Sequence, residues 1–133
     1  MINLQLKLKR EIKDAFEKLY NYKCSLEKIS IDATPKNFQG FYTLVIFPHL
    51  KNLKSSPEKV GKNIGEYLKE KSKIVSDYNL VKGFLNLDLS QDFLKTLFKK
   101  INESQNWGIN SNKDLEVMIE FSSPNTNKPL HLG

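Results

Sequence analysis

Residues 41–47, Phe-Tyr-Thr-Leu-Val-Ile-Phe, constrain the fold more than any other segment of this chain. All seven are aromatic, β-branched or aliphatic, and Pro48 follows directly. A nearly continuous run of this kind is typical of a strand that is buried on both faces. Proline ends such a run because it cannot donate a hydrogen bond to the strand ladder. The segment therefore predicts a strand inside a covered sheet.

Two helices are indicated by their periodicity and by their start signals. Residues 3–20 place one apolar side chain on the same helix face at each turn, namely Leu4, Leu8, Ile12, Phe16 and Leu19. Ser56-Pro57-Glu58 is a helix start, with an N-cap serine, a proline at the first helical position and an acid near the positive end of the dipole. We predict that this helix runs to about Lys71.

Further strands are predicted at residues 28–34, 74–78, 81–89 and 115–121. A helix that begins after Ser90 carries an apolar stripe of Phe93, Leu94, Leu97, Phe98 and Ile101. Residues 102–113 are rich in Asn and Ser and indicate a linker. Residues 1–112 are therefore predicted to form one α+β domain, in which a small, mostly antiparallel sheet carries helices packed on one face.

Charge favours one class of partner. The chain has a formal net charge of +6, and residues 1–112 alone carry 19 basic and 12 acidic residues. This excess suits a polyanion such as RNA, although lysines spread over solvated faces would give the same count.

Composition disfavours several other classes of protein. No apolar run approaches the roughly 20 residues of a membrane helix, and the start of the chain interleaves apolar and charged residues, unlike a signal peptide. Cys24 is the only cysteine, so an internal disulfide is excluded. No spacing of ligands suggests a metal site. We expect a cytoplasmic, monomeric protein without membrane contact.

The last 14 residues, Glu-Phe-Ser-Ser-Pro-Asn-Thr-Asn-Lys-Pro-Leu-His-Leu-Gly, combine a strand end, a polar loop bracketed by prolines and a His-x-Gly. Such a stretch is typical of the joint between a buried strand and a helix whose free N–H groups and dipole face a phosphate. His131 lies where that helix would begin, so its ring could donate to a phosphate oxygen. Gly133 would let a nucleotide approach the backbone closely.

This tail closely resembles the first signature of class I aminoacyl-tRNA synthetases, His-Ile-Gly-His, with Leu132 at the isoleucine position and the second histidine expected directly after Gly133. The longer string from Glu120 to Gly133 is similar to that of arginyl-tRNA synthetases. The resemblance implies that residues 113–133 hold the linker end, the first strand and the signature start of a truncated, Rossmann-like catalytic domain. It also implies a parent arginine–tRNA ligase that uses ATP, with magnesium, as a co-substrate. The 133-residue piece would be inactive alone and would hold no tightly bound cofactor.

The same resemblance assigns roles to residues of the tail. It implies catalytic roles for Lys128 and His131, ATP contacts for Pro129, His131 and Gly133, and arginine contacts for Glu120, Ser122, Ser123 and Asn125. Simpler interpretations exist for several of these residues. His131 could be an exposed loop histidine, Lys128 a solvated lysine, Glu120 the outer side of an alternating strand and Asn125 a turn residue after Pro124.

A second resemblance lies at Lys82-Gly83-Phe84-Leu85-Asn86, which is similar to the segment of the N-terminal domain of arginyl-tRNA synthetases that touches the D-loop of tRNA. Phe84 would stack on an unpaired base and Asn86 would hydrogen-bond to its edge, since residues i and i+2 of a strand share a face. The simpler interpretation makes Phe84 a core aromatic residue and Asn86 a solvent-facing one.

The expected partners are tRNA(Arg), arginine and ATP. Two alternatives remain: a stand-alone RNA-binding module, and another nucleotidyltransferase with a His-x-Gly-His signature.

Overall fold

The computed structural model describes residues 4–104, and residues 1–3 and 105–133 lie outside the described part. The principal elements are α1 (Leu4–Tyr20), β1 (Ile31–Ala33), β2 (Tyr42–Val45), α2 (Leu50–Leu53), α3 (Pro57–Lys71), β3 (Val75–Val81), β4 (Phe84–Leu89) and α4 (Gln91–Glu103). Two short 3-10 helices, Leu26–Lys28 and Phe47–His49, precede β1 and α2. The predicted α+β class is confirmed.

The four strands form one antiparallel sheet in the order β1-β2-β4-β3. In the central pair, Thr43 lies opposite Asn86 and Val45 lies opposite Phe84. Because side chains alternate along a strand, these four residues share one sheet face. The other face carries Leu44, which lies opposite Leu85.

The core lies between that second face and the helices α1 and α3. Leu44, Leu85 and Leu87 are fully buried there, together with Ile12 of α1 and Ile64 of α3. The predicted packing of helices on one sheet face agrees with this arrangement.

Two glycines bring α3 close to strand β3. A Cβ atom at Gly61 would lie 2.4 Å from a methyl carbon of Leu80, and one at Gly65 would lie 2.5 Å from the ring of Tyr78. The Tyr78 hydroxyl donates to the Glu66 carboxylate at 2.7 Å, a hydrogen bond that raises the pKa of Tyr78 to about 12. Glycine at these positions therefore sets the distance between helix and sheet.

The helix caps follow the sequence prediction. The Ser56 hydroxyl accepts from the backbone N–H of Lys59 at the start of α3. The Ser90 hydroxyl does the same for Phe93 at the start of α4. Both hydroxyls satisfy a backbone donor that has no partner inside the helix.

The run at residues 41–47 is not a strand buried on both faces. The strand is confined to Tyr42–Val45, because the backbone of Ile46 is already helical and the 3-10 helix with Pro48 begins at Phe47. Phe41 and Phe47 are 49% and 46% exposed. The prediction failed because apolar composition alone cannot distinguish a strand from the turn that follows it.

Three further apolar positions differ from the prediction. Leu19 is 42% exposed although the helix period places it on the apolar face of α1. No residue of α4 is buried among the described residues, and Phe98 is 65% exposed. The alternation within the predicted strand 28–34 places Ala33 on its apolar side with Ile29 and Ile31, yet Ala33 is exposed at the end of the short β1 strand. Periodicity identified these elements, but it carries no information about which neighbours cover them.

Among residues 4–104, no helix combines the length and the apolar character that crossing a membrane requires. Within the same residues, no group of three His, Cys, Asp or Glu side chains converges in a way that could hold a metal ion.

Candidate nucleic-acid interface

A groove of about 390 Å³ lies on the sheet face opposite α1 and α3. Its floor is formed by the outward side chains of the central strands, and one wall comes from the loop between β1 and β2. The lining residues are Asp32, Ala33, Pro35, Phe38, Thr43, Val45, Val81, Lys82, Phe84 and Asn86. The structure thus brings together all three residues that the sequence predicted for tRNA contact: Lys82, Phe84 and Asn86.

The hairpin between β3 and β4 positions these residues. Its two-residue turn consists of Lys82 and Gly83, whose φ angles are 47° and 79°. Positive φ at both central positions is the geometry of a type I′ turn, which matches the twist of the flanking strands. A Cβ atom at Gly83 would also lie 2.7 Å from the ring of Phe47. The turn places the Lys82 side chain at the tip of the hairpin, beside the groove.

The predicted strand 81–89 therefore has to be corrected. Val81 belongs to β3, and β4 begins at Phe84. The prediction continued a strand through Lys82 because lysine seldom adopts a positive φ. The preceding strand is correspondingly longer than predicted and ends at Val81 rather than Tyr78.

Phe84 is a surface residue. Its side chain is 42% exposed, and its ring meets that of Phe47 edge-on, with 5.6 Å between centroids and an interplanar angle of 71°. The interpretation of Phe84 as a core aromatic residue is wrong. Its ring packs against that of Phe47, and the residue also lines the groove.

Asn86 is buried and not solvent-facing, since only 2% of the residue is exposed. Its Oδ1 atom accepts a 2.6 Å hydrogen bond from the hydroxyl of Thr43. The loop before β2 covers it: a Cβ atom at Gly40, where φ is +126°, would lie 3.1 Å from the Asn86 Cβ atom. The strand period correctly placed Asn86 on the same face as Phe84, but it could not show that a distant loop covers this face.

Sequence reasoning missed two contributors to the groove. Phe38 lies in the polar turn between β1 and β2, is 41% exposed and lines the groove. An aromatic residue among turn residues was the signal that could have identified it. Thr43 was counted only as part of the apolar run, whereas it is buried and bonded to Asn86.

The charges at the groove are mixed. Lys82 contributes a cation, and Asp32 contributes a carboxylate that accepts a 3.4 Å hydrogen bond from Ser30. A smaller depression of about 70 Å³ adjoins Asn86 on its other side and includes Asp77. The hydrogen bond from Lys69 lowers the pKa of Asp77, with the backbone N–H of Tyr78 adding to the effect.

The predicted catalytic, ATP and arginine residues lie outside the described residues. This applies to Glu120, Ser122, Ser123, Asn125, Lys128, Pro129, His131 and Gly133. Their roles remain predictions.

Comparison with known proteins agrees with the geometry of the described part. The family described as "Arginyl tRNA synthetase N terminal domain" matches residues 6–89, which include all four strands of the sheet. An arginine–tRNA ligase of Phocaeicola vulgatus is 45% identical over 136 residues, and one of Amoebophilus asiaticus is 34% identical over 132 residues. Each alignment covers 99% of this chain and 22% of the relative. The chain thus spans about a fifth of the length of these relatives.

A solved structure shows the same fold. The Thermus thermophilus arginyl-tRNA synthetase superposes with a TM-score of 0.56 at 21% identity, covering 71% of this chain and 15% of that protein. The family match covers more than half of the sequence and includes all the described elements except α4 and the first residues of α1. The chain therefore belongs to the family of arginyl-tRNA synthetase N-terminal domains.

Proposed function

We propose that residues 4–104 are the tRNA-contacting domain of an arginine–tRNA ligase and that the groove binds an unpaired base of tRNA(Arg) in the D-loop or elbow. The observation that carries the proposal is the placement of Phe84, whose half-exposed ring lies on the same sheet face as Asn86 and beside Lys82. Membership of the family supports the same partner.

The chemistry of the groove suits a nucleotide. Its volume lies within the range typical of sites for small ligands. Aromatic rings such as Phe84 and Phe38 stack on any base, an amide can hydrogen-bond to a base edge, and a lysine can neutralise a backbone phosphate. The net positive charge of residues 1–112 would attract the polyanion over a longer distance.

The parent protein would activate arginine with ATP and magnesium and attach it to tRNA(Arg). In that reaction most catalysis consists of positioning the reactants and stabilising charge on the phosphates. Lys128 and His131 would contact the phosphates, while Pro129 and Gly133 would lie against the nucleotide. Glu120, Ser122, Ser123 and Asn125 would bind arginine. We expect the parent to act as a monomer in the cytoplasm.

Truncation of the stacking ring tests the proposal. Phe84→Ala should weaken binding of tRNA(Arg) transcript by about 1–3 kcal/mol at every salt concentration, because base stacking depends little on ionic strength. Lys82→Ala should instead make the plot of the logarithm of the binding constant against the logarithm of the salt concentration less steep, by about 1, since one phosphate contact is lost. Binding by the 133-residue chain would be measured by fluorescence anisotropy over a series of salt concentrations.

Phe98→Ala is the matched control. It makes the same truncation at an exposed phenylalanine that lies on α4 and does not line the groove. Circular dichroism would first establish that all variants are folded. We expect only a modest loss of stability for Phe84→Ala, about 1–2 kcal/mol, because the ring is already 42% exposed. If folded Phe84→Ala binds tRNA as tightly as Phe98→Ala does, the stacking role is wrong.

A further inference from the structure

We propose that the RNA strand that carries the bound base leaves the groove at the hairpin tip and continues across the corner between α2 and α3, where Lys54 and Lys59 contact its phosphates. This surface, here called the tip corner, consists of Phe47, Lys54, Lys59 and Lys82. The inference rests on the proposed tRNA-binding role of the groove and adds the direction in which the RNA strand runs. It is carried by the contacts that join the tip corner to the groove and by the distribution of charge along the sheet.

The hairpin tip packs directly against the start of α3. Gly83 is buried, and a Cβ atom there would lie 2.7 Å from the ring of Phe47 and 3.2 Å from the Cβ atom of Pro57, the first residue of α3. Lys59 lies in the first turn of this helix, and Lys54 is the C-cap residue of α2, shortly before the helix begins. Both lysines therefore lie close to the tip of the hairpin.

Phe47 connects the groove to these lysines. Its ring is 46% exposed and meets the ring of Phe84 with 5.6 Å between centroids. The 3-10 helix that begins at Phe47 leads directly into α2, which ends at the Lys54 cap. The surface beyond Phe84 is thus aromatic next to the groove and cationic farther out. Single-stranded RNA binds to surfaces that combine aromatic rings for its bases with cations for its backbone.

The positive charge of the tip corner is not compensated. Lys54, Lys59 and Lys82 are exposed, and no carboxylate oxygen of the described residues lies within 4.0 Å of their ammonium groups. Residues 47–62 hold four lysines and a single acid, Glu58. A surface with this excess of mobile cations attracts a phosphate backbone.

The opposite end of the sheet carries the other sign of charge. Asp88 lies near the far end of β4 and shares a sheet face with Phe84 and Asn86. Asp77 lies opposite Asp88, and both residues line the depression that adjoins Asn86. Lys69 pairs with Asp77, whereas no cation of the described residues pairs with Asp88. Because carboxylates repel phosphates, the RNA strand is favoured to leave the groove at the lysine end.

The test removes the two proposed phosphate contacts together, in the 133-residue chain. Lys54→Asn suits a residue with a φ angle of 48°, since asparagine tolerates the left-handed region, and Lys59→Gln keeps a good helix former in α3. Binding of tRNA(Arg) transcript would be measured by fluorescence anisotropy over a series of salt concentrations. We expect the plot of the logarithm of the binding constant against the logarithm of the salt concentration to become less steep by about 1.5–2, since two phosphate contacts are lost. Lys54→Arg combined with Lys59→Arg keeps both charges and should retain the wild-type slope.

Lys73→Gln combined with Lys100→Gln is the matched control. It removes the same two charges at exposed lysines that form no ion pair with another described residue. Lys73 lies before β3, at the end of the sheet opposite the tip, and Lys100 lies on α4. Circular dichroism would establish that the variants are folded. If the Lys54 and Lys59 double variant does not fold, Lys59→Gln alone decides, with an expected change in slope of about 0.7–1.

Failure of the inference is distinguishable from failure of the proposed function. If Phe84→Ala weakens binding while the Lys54 and Lys59 double variant has the same slope as the control, the groove keeps its proposed role and the path of the RNA strand is overturned. If the wild-type chain does not bind tRNA(Arg), the proposed function itself is wrong and the inference is overturned with it.

Discussion

Lowering the pH from about 7.5 to about 5.5 should destabilise this domain mainly through one side chain, His49. Its ring is 1% exposed and lies 4.9 Å from the ring of Phe16, centroid to centroid. The Tyr22 hydroxyl lies 3.4 Å from Nδ1, and Nε2 has no hydrogen-bond partner among the described residues within 3.5 Å. Burial lowers the pKa of His49, and the backbone of Lys28 raises this pKa by a smaller amount. A proton on this ring would be a poorly compensated buried charge.

The sign and size of the effect follow from proton linkage. Because the pKa of His49 is lower in the folded chain than in the unfolded chain, the unfolded chain binds more protons at acid pH. The contribution of the neutral His49 ring to the free energy of unfolding is fully present above the pKa of about 6.5 that histidine has in the unfolded chain. This contribution is lost as the pH falls from there towards the pKa of His49 in the folded chain. If the native ring stays neutral over the whole interval, the free energy of unfolding falls by about 1.4 kcal/mol by pH 5.5. Asp14 and Asp77, whose pKa values are lowered, act in the same direction only at more acid pH.

Urea denaturation followed by circular dichroism at the two pH values measures this loss. His49→Gln, which does not titrate, should reduce the difference between the two pH values to a few tenths of a kcal/mol. His131→Gln is the matched control, since the chain has only these two histidines. Equal losses of stability in wild type and His49→Gln would refute the reasoning, and the pH dependence would then have to come from other groups.

Two further predictions concern the helix–sheet contact and the parent enzyme. Gly65→Ala should destabilise the domain by about 1–2 kcal/mol and lower Tm by several degrees in a thermal melt. The cause is the added Cβ atom, whose clash at 2.5 Å from the Tyr78 ring outweighs the gain in helix propensity. An unchanged or higher Tm would contradict this prediction. In the proposed parent ligase, His131→Ala should lower kcat by about a hundredfold with a much smaller change in KM for arginine, since the proposed phosphate contact would act mainly in the transition state. A change confined to KM would assign His131 to substrate binding instead.

The elements governed by local signals could be predicted from the sequence. The serine caps of α3 and α4 and the apolar face of α1 depend on residues within a few positions of one another. The spacing of Phe84 and Asn86 likewise assigned both residues to one face of a strand. These features are encoded locally, and the structure confirms them except at Leu19.

The features that depend on distant neighbours could not be predicted in this way. Nothing near Asn86 in the sequence indicates that the loop with Gly40, or the hydroxyl of Thr43 on another strand, would bury it. Phe98 has the same spacing as a core residue, yet it is exposed. The turn at Lys82 was missed because a lysine there must adopt a left-handed conformation, which depends on the pairing of the two strands.

Alternate residues of β4 lie on two different faces of the sheet, and this has an evolutionary consequence. A slip of one residue in the pairing register of β3 and β4 would move every side chain of β4 to the opposite face. Leu85 would then face the groove, while Phe84 and Asn86 would point towards the helices. The pairing register of this hairpin is therefore more tightly constrained than the conformation of an ordinary surface loop. Variation on the groove face of β4 should therefore arise by substitution at fixed positions rather than by a shift of this register.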